Sequence, residues 1–192
     1  MIDPRPPIRR ATVADAAALA RLVNFAGEGM PLYFWRQIAR GGEDPWEIGR
    51  RRQGERVADS TIFVVDEGGG AVACLTGYPV PAFPEPVGAD EPDIFRPLAE
   101  LENLAPLTWY VNVLAALPEH RGRGFGARLL ALAEDIARDR GLPAMSLIIS
   151  SGNAGARRLY QRTGYVEIAR REIVKDGWEC ASDEWVLLIK RL

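Results

Sequence analysis

Two cysteines, one histidine and no uninterrupted apolar run of membrane-spanning length set the first limits on this 192-residue chain. Cys74 sits inside an apolar run and Cys180 in a polar stretch, a spacing that fits neither a disulfide framework nor a metal-ligand set, so both are expected as free thiols. A lone imidazole, His120, leaves no cluster that could hold zinc, and no metal is expected. The first residues lack the apolar core of a signal peptide, which points to a cytoplasmic protein with no membrane partner. A net charge of -2 lacks the basic footprint of a nucleic-acid binder. Hydrophobic residues at 47% and charged ones at 26% place the chain among ordinary globular proteins, and the length suits a single domain over residues 1–192. No internal repeat or low-complexity tract is visible.

What is present reads as alternating helices and strands. Residues 7–11 form a short first strand, and Thr12 or Asp15 can cap an Ala/Leu-rich helix that runs to about Asn24. A helical stretch with Tyr33, Phe34 and Trp35 follows, then a helix opened by Pro45 whose arginines (50, 51, 52 and 56) read as a solvated face. Residues 61–66 and 71–78 are β-rich runs joined by Glu67-Gly68-Gly69-Gly70, an antiparallel hairpin. Residues 79–106 break the pattern with seven prolines. They carry Glu85, Asp90, Glu91, Asp93, Glu100 and Glu102 against one base, Arg96, and read as an acidic insertion with a short helix over 93–103. A strand over 109–117 precedes a glycine-rich turn and a helix whose apolar positions Leu129, Leu130, Leu132, Ala133, Ile136 and Ala137 recur at helical spacing before Gly141 and Pro143. Residues 145–150 are a buried-type strand, Asn153 caps a helix through Thr163, and 165–175 with 183–190 make a last hairpin around Asp176-Gly177. The whole is mixed α/β with a largely antiparallel sheet.

The most informative segment is Pro118-Glu119-His120-Arg121-Gly122-Arg123-Gly124-Phe125-Gly126-Ala127, which joins an apolar strand to an amphipathic helix. Glycines at 122, 124 and 126 leave backbone N–H groups unshielded at a helix N-terminus, where unpaired donors and the positive end of the helix dipole favour a phosphate or diphosphate. Arg121 and Arg123 add charge beside it. A dinucleotide fingerprint fits poorly, because Pro118-Glu119-His120-Arg121 separate the strand from the first glycine and no acidic ribose-binding residue follows at the expected distance. A P-loop fails outright, since no Gly-Lys-Ser/Thr closes the turn.

Arg121-x-x-Gly124-x-Gly126 after a strand, followed by Asn153-x-x-Ala156-x-x-Leu159-Tyr160-x-x-x-Gly164-Tyr165, resembles the two signatures of the GNAT superfamily of acyl-CoA-dependent N-acyltransferases. The two motifs and what lies between them cover residues 109–166. The resemblance implies a GNAT-like α/β (α+β) fold, with a mixed, mostly antiparallel central sheet flanked by helices and a fourth and fifth strand that splay apart. It implies acetyl-CoA as the acyl donor, its diphosphate on Arg121, Gly122, Arg123, Gly124, Phe125, Gly126 and Ala127. The pantetheine arm would hydrogen-bond the main chain of Val113, Leu114 and Ala115 as an added strand, with Asn153 a further cofactor contact or simply a helix cap. The implied reaction moves an acetyl group to a primary amine of a small molecule by direct attack in a ternary complex. Acylation of a protein N-terminus or lysine, and a non-catalytic acyl-CoA-binding regulator, stay open beside it.

Such a transfer needs a neutral amine, a polarised carbonyl and a proton for the leaving thiolate. Tyr160 lies seven residues after Asn153, on the same helical face, and is assigned as the general acid against the alternative of a packed core aromatic. Glu102, just upstream of the central strand, is the carboxylate put forward as base, with Glu100 behind it; His120 is set aside because it sits at the diphosphate turn rather than near the thioester. Asn112 is well placed but does not titrate. Phe125 is expected to pack the turn, Arg128 and Arg157 to remain in water or reach a phosphate, and the acidic insertion to attract a cationic amine. Trp178 and Trp185 on the last hairpin offer apolar surface for a homodimer.

Overall fold

A computed structural model describes residues 4–59 and 61–192. The chain divides into two compact units: the described residues of Met1–Gly77 together with Val113–Ala133, and Tyr78–Asn112 together with Glu134–Leu192. The strands β1 (Ile8–Arg10), β2 (Thr61–Asp66), β3 (Ala71–Pro79), β4 (Thr108–Ala116), β5 (Ala144–Ser150), β6 (Val166–Glu172) and β7 (Glu184–Arg191) hydrogen-bond in the order β1-β2-β3-β4-β5-β7-β6. Only β4 and β5 run parallel among the registers described; β1–β2, β2–β3, β5–β7 and β6–β7 are antiparallel. The expected mixed, mostly antiparallel sheet is what the chain builds.

In the first unit, α1 (Ala16–Ala26), α2 (Met30–Ile38) and α3 (Pro45–Asp59) accompany β1–β3. Leu19 and Leu22 of α1 share one helical face and bury it against Ile62, Val64, Cys74 and Val113. The turn Val13–Asp15 that leads into α1 is closed by Asp15, whose carboxylate accepts from the Thr12 backbone N–H at 2.8 Å and from both terminal nitrogens of Arg9, each at 2.8 Å. Arg9 also donates to Asp66 from Nη2 at 2.7 Å and Nε at 3.0 Å. Asp66 in turn accepts from Gly68 N–H at 2.8 Å and Gly70 N–H at 3.1 Å, so the β2–β3 turn is tied to β1. Trp35 packs with Ala20 and Ile48, so close to Gly49 that a Cβ there would fall 2.4 Å from its ring.

In the second unit β5 is central, parallel to Thr108–Val111 of β4 on one edge and paired along its whole length with β7 on the other. This unit also holds α4 (Arg96–Asn103), α6 (Ala154–Arg162) and the end of α5 (Phe125–Asp139). The proline-rich segment leaves and rejoins the sheet through Val80, whose N–H donates to Thr108 O at 2.8 Å and whose carbonyl accepts from Leu107 N–H at 3.1 Å. Its helix begins at Arg96 rather than Asp93: Pro97 suits a first helical turn, which leaves N–H groups unpaired anyway, and Pro92 to Phe95 form the preceding turn. Trp178 and Trp185 do not supply a dimer surface. They stack on each other with centroids 6.0 Å apart and are 5% and 4% exposed, because four successive β7 residues, Trp185–Leu188, are all buried. Among the described residues no helix is long and apolar enough to cross a membrane.

Candidate active site

Pairing between β4 and β5 stops at Val111 with Leu147, although β4 continues to Ala116 and β5 to Ser150; Asn112 and Ile148, next in line, are not partners. This is the splay expected of the fourth and fifth strands. Leu114, Ala115 and Ala116, beyond that point, are half-buried. Val113 itself points into the core with Leu19 and Leu22, so any part it plays for a ligand is through its backbone.

Beyond β4 the chain turns through Gly122 (φ +75°) and Gly124 (φ +79°), left-handed conformations that a side chain would strain. A Cβ at either position would meet nothing within 4 Å, so the face of the turn is open. Helix α5 then starts at Phe125, and its first internal bond in the turn runs from Arg128 N–H to Gly124 O at 3.1 Å. The N–H groups of Phe125, Gly126 and Ala127 therefore stand at the unpaired end of the helix. The Phe125 ring is buried, 5% exposed, which confirms its packing role and leaves only its main chain for a ligand.

The turn's two arginines differ. Arg121 is exposed and folds back to donate from Nε to Ala116 O, the last carbonyl of β4, at 3.2 Å. Arg123, expected to add charge for an anion, is committed elsewhere: its Nη1 and Nη2 grip Glu67 at 2.6 and 2.7 Å, and its guanidinium lies 5.0 Å from the Phe125 ring centre. His120 Nδ1 lies 3.1 Å from Arg123 Nη1 and 3.8 Å from Glu67 Oε2. Arg128 donates to Pro6 O at 3.2 Å and Arg157 pairs with Glu167 at 3.1 Å, so neither is simply a solvated side chain.

In the second unit, Asn153 Oδ1 accepts from Ala156 N–H at 3.0 Å, the helix-cap alternative. Tyr160 is buried, 5% exposed, edge-on to Tyr165 with centroids 5.5 Å apart. Burial pushes its phenol well above the ordinary tyrosine value, so its proton stays in place at any physiological pH. Glu102 is half-buried and accepts from Tyr78 Oη at 2.8 Å. Burial raises its carboxyl above the usual range, and the tyrosine hydrogen bond opposes part of that rise. Tyr110 stacks at a tilt on Tyr78, centroids 5.4 Å apart; burial drives its phenol up, and the charge of Glu102 adds to this while a hydrogen bond with Asn112 works against it. Glu100, by contrast, is neutralised by Arg171 at 2.9 Å and Asp93 pairs with Arg96 at 3.5 Å. Tyr78, Tyr110 and their relation to Glu102 escape sequence reasoning; the only local hint is Tyr110 and Asn112 two apart on one strand, hence on one face. Among the described residues no group of three or more His, Cys, Asp or Glu is gathered as for a metal ion.

The sequence profile of the acetyltransferase (GNAT) family matches residues 30–165. The chain belongs to the acetyltransferase (GNAT) family. It is similar to the uncharacterized N-acetyltransferase YhfO of Bacillus subtilis (strain 168), 28% identical over 162 residues that cover 83% of this chain and 89% of that one. Its fold is shared with the ribosomal-protein-alanine N-acetyltransferase of Brucella melitensis (TM-score 0.62, 23% identity, 96% of this chain and 99% of that one). It is shared too with the PaiA N-acetyltransferase of Thermoplasma acidophilum, solved in complex with coenzyme A (TM-score 0.57, 13% identity, 96% and 98% covered). As a GNAT acetyltransferase the chain is an acyl-CoA-dependent enzyme, and the open turn and free strand of its first unit are features suited to such a donor.

Proposed function

We propose that this GNAT acetyltransferase transfers an acetyl group from acetyl-CoA to the primary amine of a small molecule, by direct attack while both substrates are bound. The observation that carries the reading is the conjunction in one unit of the open turn at Gly122 and Gly124 with a β4 edge released after Val111. Main-chain N–H groups of Gly122, Gly124, Phe125, Gly126 and Ala127, with Arg121, would hold the diphosphate. The backbone of Val113, Leu114 and Ala115 would hold the pantetheine arm and polarise the thioester carbonyl. Asn153, its oxygen engaged in the cap, would have its amide N–H groups to offer the donor.

Tyr160 serves in this reading as general acid and Glu102 as base. The phenol keeps its proton until a thiolate departs. Glu102 is the one carboxylate of the acidic insertion that combines burial with a raised carboxyl, which brings it nearer the pH at which a base must work. Its named partner is a neutral hydroxyl, Tyr78, whereas Glu100 and Asp93 already hold cations; an acceptor that arrives as an ammonium ion would compensate Glu102 and there give up its proton. Release of free coenzyme A should be followed with acetyl-CoA and a panel of small primary amines, with Gly124→Ala as control. A side chain at Gly124 strains a φ of +79° by about 1–2 kcal/mol and fills the open face of the turn, so the KM for acetyl-CoA should rise more than tenfold. An unchanged KM would remove the turn from donor binding, and acetylation of peptides but no small amine would reassign the acceptor.

A further inference from the structure

The Glu67–Arg123 ion pair engages, beside the turn at Gly122 and Gly124, the charge that Arg123 is expected to offer an anion. We propose that Glu67 and Arg123 form a clamp that holds the diphosphate turn in its binding shape, which makes both positioning residues and neither a phosphate ligand. The inference rests on the donor-binding reading above and assigns the turn's rigidity to two side chains 56 residues apart.

Arg123 is the one side chain between two glycines that both occupy left-handed backbone. Glycine loses more conformational freedom on ordering than any other residue, so a free Gly-x-Gly turn would sample many shapes in which its N–H groups diverge. Fixing the middle residue removes most of that freedom at both glycines. The clamp does so at three points: parallel hydrogen bonds of 2.6 and 2.7 Å to the two carboxylate oxygens of Glu67, a contact with His120 Nδ1 at 3.1 Å, and the Phe125 ring 5.0 Å beneath the guanidinium. A two-pronged arginine–carboxylate pair fixes orientation as well as distance. The anchor is itself held, since the neighbouring Asp66 is bonded to Arg9, Gly68 and Gly70. Glu67, the clamp and the turn all belong to one compact unit.

The electrostatic consequence separates a clamp from a ligand. If Arg123 reached the diphosphate, Glu67 would compete for it, and Glu67→Gln would release a cation and tighten binding. If the pair is a clamp, Glu67→Gln frees Arg123 yet loosens the turn, and binding weakens. The probe is coenzyme A, its affinity measured by titration calorimetry on the full chain, with the KM for acetyl-CoA and kcat alongside. Arg123→Gln and Glu67→Gln should each weaken coenzyme A about threefold to tenfold, the range suited to a two-pronged but solvent-accessible pair. The double variant should be no weaker than the worse single, because each removes the same interaction. The salt dependence of binding should be the same in Arg123→Gln as in the parent, since no cation has been taken from the phosphates. KM should follow the affinity loss while kcat stays within twofold, a split that general damage to the fold would not produce.

Tighter or unchanged binding in Glu67→Gln, or additive losses in the double variant, would overturn the clamp. A parent protein that itself fails to bind coenzyme A would overturn the donor-binding reading, and the clamp's purpose with it. Thermal melts of each variant show whether a loss of binding is a loss of folding: an exposed pair predicts shifts of a few degrees at most, and a variant unfolded at assay temperature would refute the assignment of a merely positioning role.

Discussion

Replacing Tyr160 by phenylalanine tests the assignment of the general acid with little disturbance elsewhere. The ring remains, so the edge-on contact with Tyr165 at 5.5 Å and the burial of the side chain are kept. The lost hydroxyl is worth about 1 kcal/mol of stability at most, a shift of a few degrees in melting temperature. The effect on chemistry is larger. General acid catalysis contributes roughly 100- to 10,000-fold, and burial, by raising the phenol, makes it a reluctant donor, which favours the lower end of that span. A loss of about 100-fold in kcat, equal to about 2.7 kcal/mol in the barrier, is expected. The KM for acetyl-CoA should stay within twofold, because the proposed reading gives the donor to main-chain groups of β4 and the turn and not to Tyr160. Coenzyme A release at saturating donor and amine, compared at several pH values, provides the assay. A variant that keeps kcat within threefold of the parent, while melting at the same temperature, would show that Tyr160 only packs.

If Glu102 is the base, its raised carboxyl should give kcat/KM an acid limb above the ordinary glutamate range, with activity falling as pH drops and the base becomes protonated. Glu102→Gln should remove that limb and most of the activity, and Tyr78→Phe, which deletes the opposing hydrogen bond, should move the limb to higher pH. Asp15 is held below its usual range, first by the Arg9 hydrogen bonds, so its stabilising share is complete above the unfolded carboxyl's pKa of about 4 and is lost as pH falls through the lower folded value. Arg9→Ala leaves Asp15 buried without its cation, and urea melts at pH 7 should show a loss of about 2–3 kcal/mol, discounted because Arg9 is partly exposed. Burial pushes the Cys74 thiol up to about 12, whereas Cys180 is half-exposed; a thiol reagent at pH 8 should titrate one cysteine in the native protein and two after denaturation. Gly49→Ala would drive a methyl into Trp35 at 2.4 Å and should lower the melting temperature by several degrees.

What could be read from the chain was governed by local periodicity. The strand over Thr108–Ala116, the turn and helix α5 lie within one or two residues of their expected limits, because each boundary is set by a proline, a glycine or a change of hydrophobic period nearby. Pairings between distant elements were not readable. Arg123 with Glu67, Tyr78 with Glu102 and Arg171 with Glu100 depend on strand order and register, which no window of ten residues contains. Placing β7 between β5 and β6 is of the same kind, since a hairpin signal says that two strands pair but not which of them meets the rest of the sheet. The tryptophans show the cost of reading exposure from a hairpin alone. A strand covered on both faces buries consecutive residues, and Trp185 stands at the head of such a run.

The division between main-chain and side-chain recognition explains where this chain is free to specialise. In the proposed reading the donor is held mainly by N–H groups of a turn and the backbone of a strand, so apart from Arg121 and Asn153 it asks only that glycine occupy two left-handed positions and that the turn be kept in shape. On that reading the demands fall to Gly122, Gly124 and the Glu67–Arg123 pair, none of which would distinguish one acceptor from another. Acceptor choice must therefore come from groups that can vary without loosening the donor, and the carboxylate and aromatic rings of Tyr78, Glu102 and Tyr110 are of that kind. Changing Glu102 should then alter the order of preference among amines as well as the rate, whereas changing the clamp should alter the demand for acetyl-CoA and leave that order intact. Finding the same ranking of amines in Glu102→Gln as in the parent would place the acceptor away from this cluster.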